Sequence, residues 1–157
     1  MMEIRIMRPE DEPQVYSLIC SSLEDYFVPE TVSFFRMQWG RGQIVATDFT
    51  GRIIGYLAGA KLPNGHASVH LFCVADGHRG NGLGGLILDR FKQTAVMEGY
   101  HIIQLEVRED NDSAYRFYSN RGFVPVERLE NFYNDGSSGI RMVCDLGMTS
   151  FTFSRDT

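Results

Sequence analysis

The sequence has few of the features that mark nucleic-acid-binding, membrane or secreted proteins. Its formal net charge is -5 at pH 7, whereas binding to a polyanion by counterion release needs a basic surface. No apolar run approaches the length needed to cross a membrane, and the charged start MMEIRIMRPED is unlike a signal peptide. We therefore expect a cytoplasmic protein with no nucleic-acid or membrane partner.

The chain has only three cysteines, Cys20, Cys73 and Cys144, with wide gaps between them and no CxxC pair. An odd number of dispersed cysteines indicates free thiols and favours neither a disulfide framework nor a zinc site. His66 and His70 lie four residues apart and would share one face of a strand, but no third ligand accompanies them. We therefore expect no bound metal.

The chain length fits one ordinary globular domain. With 157 residues, of which 43% are hydrophobic, it can bury a core but has no room for a second domain of similar size. We expect that domain over residues 1–147, with no internal repeat and no interdomain linker. The segment 148–157 has no periodic pattern and is expected to be a loose tail.

Hydrophobic periodicity predicts an α/β protein with the element order β-α-α-β-β-β-α-β-α-β-β. Strands are expected around Ile4 and Ile6 and at residues 43–47, 52–60, 67–74, 102–107, 123–127 and 140–146. Helices are expected through Val15 to Ile19, through Phe34 to Met37, and over 83–97 and 113–120. Such an order implies a mixed sheet with helices on its faces.

A glycine-rich segment, residues 75–85, lies between a predicted strand and the longest predicted helix. Glycines let backbone N–H groups converge on an anion, and the start of a helix adds partial positive charge. The segment therefore predicts a phosphate-binding loop. A flexible turn that allows tight packing is the structural alternative.

Two other phosphate-binding motifs fit this segment less well. Gly80, Gly82 and Gly85 have the spacing of the dinucleotide fingerprint, with Glu106 near the position of its acidic residue. Antiparallel hairpins precede the glycines, however, where a dinucleotide fold repeats βαβ units. A dinucleotide-binding oxidoreductase remains an alternative, whereas a nucleoside triphosphatase loop is excluded because no Lys-Ser/Thr follows the glycines.

Two sequence blocks resemble one known family. The run RGNGLG at 79–84 resembles the R/Q-x-x-G-x-G/A motif of the GNAT acetyltransferases. The second block is LEVREDN at 105–111, followed by Ala114, Tyr118 and RGF at 121–123, and it is similar to a run in the N-terminal acetyltransferases of the same superfamily. The resemblance implies a GNAT fold, in which about four helices flank a mixed, mostly antiparallel sheet of about seven strands. It also implies that acetyl-CoA is the cosubstrate. The residues implied in acetyl-CoA binding are Phe72, Cys73, Val74, Arg79, Gly80, Asn81, Gly82, Leu83, Gly84, Asn111 and Tyr118.

Acetyl transfer to an amine needs a neutral amine, a polarised thioester carbonyl and a proton for the departing thiolate. The resemblance implies that Glu106 is the general base, acting through water, and that Tyr118 donates the proton to the CoA sulfur. Glu106 lies in an otherwise apolar strand, so we expect desolvation to raise its pKa; a salt-bridged acid is the alternative. For Tyr118 the alternative is a core tyrosine. Backbone N–H groups of Phe72 to Val74 are implied to polarise the carbonyl.

Two nearby side chains have more than one interpretation. Asn111 suits the amides of the pantetheine arm of CoA, and it suits equally the N-cap of the helix that follows. Cys73 lies where an acetyl-cysteine intermediate would form, but a small buried residue is the commoner role of such a cysteine. The family resemblance implies direct transfer within a ternary complex.

The expected acceptor is the α-amine at a protein or peptide N-terminus. The chain resembles the ribosomal-protein alanine acetyltransferases and the catalytic subunits of N-terminal acetyltransferases, including archaeal ones. Glu30 in FVPE and Tyr133 in NFYNDG are the acceptor-binding residues that this resemblance implies, and a helix first-turn acid and a hairpin tip are the alternatives. At 137–139 this chain has SSG where the family usually has E-D-A. This difference concerns which N-terminal residues of an acceptor the chain accepts. The other hypotheses are acetylation of lysine or small amines, and a non-catalytic acetyl-CoA-binding domain.

Overall fold

In a computed structural model, residues 2–147 are described, and they contain seven strands and four α-helices in the expected order. The strands are β1 Glu3–Ile6, β2 Gln43–Thr47, β3 Ile53–Lys61, β4 Ala67–Val74, β5 Ile102–Arg108, β6 Phe123–Leu129 and β7 Gly139–Asp145. The helices are α1 Glu12–Ser22, α2 Glu30–Gln38, α3 Leu83–Met97 and α4 Asp112–Ser119. The segment 148–157, expected to be a loose tail, lies outside the described residues.

All seven strands form one sheet in the order β1-β2-β3-β4-β5-β7-β6. Every neighbouring pair is antiparallel except β4 and β5, which are parallel and pair only at Ala67 with Ile103 and at Ser68 with Gln104. Beyond Ser68 the two strands separate. The facing edges of β4 and β5 therefore open into a wedge. Along these edges the backbone N–H and C=O groups are not paired with a neighbouring strand.

Helices cover both faces of the sheet, as the periodicity of their apolar residues predicts. On one face α3 buries Ile87 and Phe91 against the sheet, and on the other face α1 and α2 bury Ile19 and Phe35. Not every apolar residue in the predicted helices is buried. Phe34 and Met37 of α2 are 62% and 80% exposed, and Leu86 of α3 is 48% exposed. On α2 the buried pair is Val32 and Phe35, three residues apart, because only that face meets the sheet.

The sequence predicts free thiols, and Cys20, Cys73 and Cys144 are all free in the structure. Within residues 2–147, no helix is long and apolar enough to span a bilayer.

Candidate active site

A cavity of about 430 Å³ fills the wedge between β4 and β5. It brings together residues that are distant in sequence, among them His70 from β4, Glu106 from β5, Tyr118 from α4 and Tyr133 from the β6–β7 loop. A second cavity of about 390 Å³ extends toward the glycine loop and is lined by Arg79 and Gly84 among others. Both cavities share Phe72, Asn111 and Tyr118 as walls. The result is one groove that runs from the glycine loop to Tyr133.

The glycine loop ends where α3 begins. Gly82 is the N-cap of α3 and has a φ of 86°, a left-handed conformation that glycine adopts at little cost. The Asn81 carboxamide oxygen accepts a hydrogen bond of 3.3 Å from the Leu83 amide. Among the described residues, no acceptor reaches the amides of Gly84 and Gly85. These two N–H groups, at the positive end of a 15-residue helix, fit an anionic group such as a pyrophosphate.

Arg79 contributes to this region chiefly by holding the loop in place. Its Nε donates to the Val74 carbonyl at 3.0 Å, and its Nη1 lies 3.1 Å from Asp76 Oδ1. The guanidinium thus joins the loop to the end of β4 while its side chain still lines the second cavity. Its role in acetyl-CoA binding remains a prediction.

Glu106 lies in the wedge, but its surroundings are less apolar than expected. Its Oε2 accepts hydrogen bonds of 3.0 Å from both Gln104 Nε2 and Arg141 Nε. Arg141 is directly opposite Glu106 in the β5–β7 register. The expectation of an apolar environment is therefore wrong, and the salt-bridged alternative describes the pairing. Glu106 nevertheless lines the cavity, with 22% of its side chain exposed.

His70 also lines this cavity, which the sequence does not indicate, because its four-residue spacing from His66 suggests only a pair of metal ligands. It lies at a bulge where β4 has one residue more than β3, and its ring packs on Phe35 at a centroid distance of 4.8 Å. Desolvation by its neighbours lowers the pKa of His70, and the nearby charge of Glu106 opposes this shift. A lowered pKa favours the neutral form of the imidazole, and the residue as a whole is exposed.

His66 takes no part in the cavity, and its Nδ1 lies 3.1 Å from Gln104 Oε1. Among residues 2–147, no group of three or more His, Cys, Asp and Glu side chains is arranged to hold a metal.

Tyr118 lines both cavities from the buried face of α4. Its ring packs against Phe117 and Phe123, with centroid distances of 5.2 and 5.5 Å, and only 9% of the residue is exposed. No hydrogen bond joins its hydroxyl to a described residue, so that group is available to a ligand in the groove. Burial raises the pKa of Tyr118 above its usual value. The hydroxyl therefore stays protonated, so it can donate a hydrogen bond but does not readily release its proton.

Asn111 and Cys73 both have the structural roles that the sequence allows for them. The Asn111 carboxamide oxygen accepts a 3.0 Å hydrogen bond from the Ala114 amide, so Asn111 is the N-cap of α4. Its amide nitrogen has no described acceptor and could still contact a ligand in the groove. Cys73 is 7% exposed and packs in the cluster beneath α1, and burial raises the pKa of its thiol to about 12. A protonated thiol is a poor nucleophile.

The loop between β6 and β7 forms the outer wall of the groove. Arg108 stacks on the Tyr133 ring at 4.2 Å, and the Tyr133 amide donates to the Ser137 carbonyl at 3.1 Å. Tyr133 also lines an outer cavity of about 570 Å³, together with Glu24 and Asp25 from the α1–α2 loop.

Glu30, the other predicted acceptor-binding residue, is exposed in the first turn of α2 and lines none of these cavities. The structure thus brings Tyr133, but not Glu30, into contact with the groove.

This chain is similar to known proteins in both sequence and fold. The acetyltransferase (GNAT) family model matches residues 12–123. Ard1 from Thermoplasma volcanium is similar at 31% identity, with a TM-score of 0.85 over 92% of this chain and 97% of that one. The ribosomal-protein-S18-alanine N-acetyltransferase from Escherichia coli is similar at 20% identity, with a TM-score of 0.81 over 93% of this chain and 94% of that one.

Naa50 from Arabidopsis thaliana, solved with the bisubstrate analogue CoA-Ac-MVNAL, is similar at 18% identity, with a TM-score of 0.78 over 90% of this chain and 97% of that one. At this identity the likeness concerns the fold. Because the family model matches residues 12–123, which is most of the chain, this chain belongs to the GNAT acetyltransferase family.

Proposed function

We propose that this protein transfers the acetyl group of acetyl-CoA to the N-terminal α-amine of a protein or peptide, by direct attack in a ternary complex. The observation that carries the proposal is the single groove in which the free amides of the glycine loop, the Tyr118 hydroxyl and the Glu106 carboxylate follow one another. One end suits the pyrophosphate of acetyl-CoA. The other end, beneath Tyr133, suits an acceptor chain.

The pKa of the acceptor's ammonium group favours an α-amine over a lysine side chain as the acceptor. An α-ammonium has a pKa near 8 and a lysine side chain one near 10.4, so deprotonation at pH 7 costs about 3 kcal/mol more for lysine. A carboxylate such as Glu106 is adequate for the less demanding proton transfer, and His70 lines the same cavity. An acceptor site that selects chain ends can therefore operate without a stronger base.

Each remaining step has a group in the groove. Acetyl-CoA supplies the acetyl group as a thioester, whose carbonyl carbon the amine attacks. In this proposal, backbone N–H groups on the open edge of β4, between Phe72 and Val74, donate to the carbonyl oxygen. Of the two protons that the ammonium loses in becoming an amide, one goes to Glu106 and the other leaves with the CoA sulfur. Tyr118 stabilises that sulfur by donating a hydrogen bond as the C–S bond breaks.

The similar proteins support the choice of acceptor. The E. coli relative is an alanine N-acetyltransferase of a ribosomal protein, and the Arabidopsis relative was solved with CoA joined through an acetyl group to the peptide MVNAL. The fold that surrounds the groove of this chain is the same as in those two relatives. Ard1, at 31% identity, is similar in sequence as well.

Steady-state thiol release from acetyl-CoA tests the proposal, with short peptides whose N-termini are free or blocked. Turnover of free N-termini and loss of turnover on blocking are expected. Glu106→Gln should lower kcat by about 10²-fold to 10³-fold without weakening acetyl-CoA binding. Equal turnover of blocked peptides that contain lysine would refute the α-amine acceptor.

A further inference from the structure

The carboxylate of Glu106 is held at one of its two oxygens. Gln104 and Arg141 both donate to Oε2, each at 3.0 Å. No hydrogen bond from residues 2–147 reaches Oε1. Because the lone pairs of Oε2 are occupied by these donors, the oxygen that remains for a water or an amine is Oε1.

Gln104 can act as a donor to Glu106 in only one orientation of its amide. Its Oε1 accepts from Asn64 Nδ2 at 3.2 Å and lies 3.1 Å from His66 Nδ1. Reversing the amide would set its oxygen against the Glu106 carboxylate and its NH₂ group against that of Asn64, and both contacts are repulsive. The turn between β3 and β4 therefore fixes the direction of the Gln104 amide.

The two donors differ in how firmly they are held. Gln104 is 8% exposed, and its amide is bonded on both sides. The Arg141 side chain is 30% exposed, and its Nη1 bonds the surface residue Glu127 at 2.9 Å. A buried amide that is hydrogen-bonded at both its oxygen and its nitrogen has little freedom to change rotamer, whereas an exposed guanidinium keeps more. Gln104 is thus the more rigid support of the carboxylate.

We propose that Gln104 is a positioning residue, which holds the Glu106 carboxylate with Oε1 turned toward the groove. This inference rests on the proposed function, in which Glu106 is the base. Gln104 itself does not touch the reacting atoms. A base displaced by about 1 Å loses up to about 10²-fold in rate, so the effect of removing this support should be visible in kcat.

A double-mutant cycle between Gln104→Met and Glu106→Gln tests the inference, since methionine has the length of glutamine and no donor. In the otherwise unchanged enzyme, Gln104→Met should lower kcat by about 10-fold to 100-fold and leave the KM for acetyl-CoA unchanged. In the Glu106→Gln background it should cause no further loss, because the group that it positions is no longer a base. Equal losses in both backgrounds, or an unchanged kcat, would overturn the inference.

Gln43→Met is the matched control. Gln43 is another buried glutamine of the same sheet, with 0% exposure and hydrogen bonds to the Trp39 and Gly59 carbonyls, but it lines none of the described cavities. It should lower thermal stability and leave kcat unchanged below its melting temperature. A kcat loss for Gln43→Met as large as that for Gln104→Met would mean that general softening of the sheet, not positioning, explains both.

Should Gln104→Met fail to fold, the exposed residue Asn64 gives a second variant. Asn64→Ala removes one of the two contacts that orient the Gln104 amide, so it should lower kcat by a smaller factor, and again only when Glu106 is present. A loss that persists in the Glu106→Gln background would overturn the inference. The outcome is separable from the proposed function: full activity of Glu106→Gln alone defeats the base assignment, whereas an impaired Glu106→Gln without coupling defeats only the role of Gln104.

Discussion

Arg108 Nη1 lies 2.9 Å from Asp135 Oδ2, and this pair ties the β6–β7 loop to β5. Arg108 is two residues beyond Glu106, so both side chains leave the same face of the strand. Its guanidinium also stacks on the ring of Tyr133. The strand that carries the proposed base therefore carries the anchor of the loop that forms the outer wall of the groove.

Asp135→Ala should weaken acceptor binding without affecting the cofactor. It removes the ion pair with Arg108 and the hydrogen bond from the Ser137 amide to Asp135 Oδ1. Because the pair is exposed, we expect a modest rise of about threefold to tenfold in the KM for peptide, with the KM for acetyl-CoA unchanged. Glu130→Ala, an exposed acid near the start of the same loop, is the control and should leave both values unchanged. A matching rise in the KM for acetyl-CoA would contradict this role of the loop.

Tyr118→Phe should reduce turnover while preserving the fold, because the aromatic ring that packs in the core is retained. Loss of one donor to the leaving sulfur should lower kcat by about 10-fold to 100-fold. Since burial keeps the hydroxyl protonated, removing Tyr118 should not shift the alkaline limb of the pH–rate profile below about pH 10. Tyr115→Phe, on the same helix, is the matched control. Unchanged kcat in Tyr118→Phe would show that the hydroxyl serves only packing.

Gly82→Ala should weaken acetyl-CoA binding. Alanine at a φ of 86° is strained by about 1 kcal/mol, and relaxing that strain moves the amides that follow. Gly51→Ala provides the matched control, since Gly51 has a φ of 88°, lies at the tip of the β2–β3 hairpin and has equally open surroundings. Both variants should lose similar stability in urea unfolding, but only Gly82→Ala should raise the dissociation constant of acetyl-CoA in calorimetry. Equal dissociation constants of acetyl-CoA for the two variants would show that the glycine loop is not part of the binding site.

Asp11→Asn should destabilise the protein in a pH-dependent way. Asp11 is 6% exposed, and its carboxylate accepts hydrogen bonds of 2.7 and 3.1 Å from the Arg5 guanidinium, which lowers the pKa of Asp11. A lowered folded-state pKa means that this stabilisation is present above the unfolded value near 3.9 and is lost as the pH falls through the folded value.

We therefore expect the variant to be less stable by about 2 kcal/mol at pH 7, and this difference to shrink below pH 4. Urea unfolding at the two pH values measures it, with the exposed neighbour Glu10→Gln as the control. A difference that stays constant with pH would mean that lost packing, and not the charge of Asp11, is responsible.

Most of the fold could be predicted from the sequence because each element has a clear period or boundary. The bounds of β2, β4 and α3 agree with those expected, and each of these elements is bordered by a glycine or a turn. The glycine loop could be recognised for the same reason, since the chemistry of an anion-binding turn depends on residues that are adjacent in the chain.

The surroundings of Glu106 could not be predicted, because they depend on the register between strands. Arg141 is 35 positions away and faces Glu106 only through the β5–β7 pairing. His70 enters the cavity at a bulge, and no local pattern in β4 marks it. Glu30 illustrates the converse, since its segment matched a family pattern while the helix that it begins leaves its side chain in solvent.

The most direct test of the account offers the enzyme one peptide with two amines, a free N-terminus and an internal lysine, and locates the added acetyl group by tandem mass spectrometry. The account predicts that the α-amine carries the acetyl group and that Glu106→Gln abolishes most of this product. A product acetylated at the lysine would contradict the proposed acceptor, although membership of the acetyltransferase family would stand.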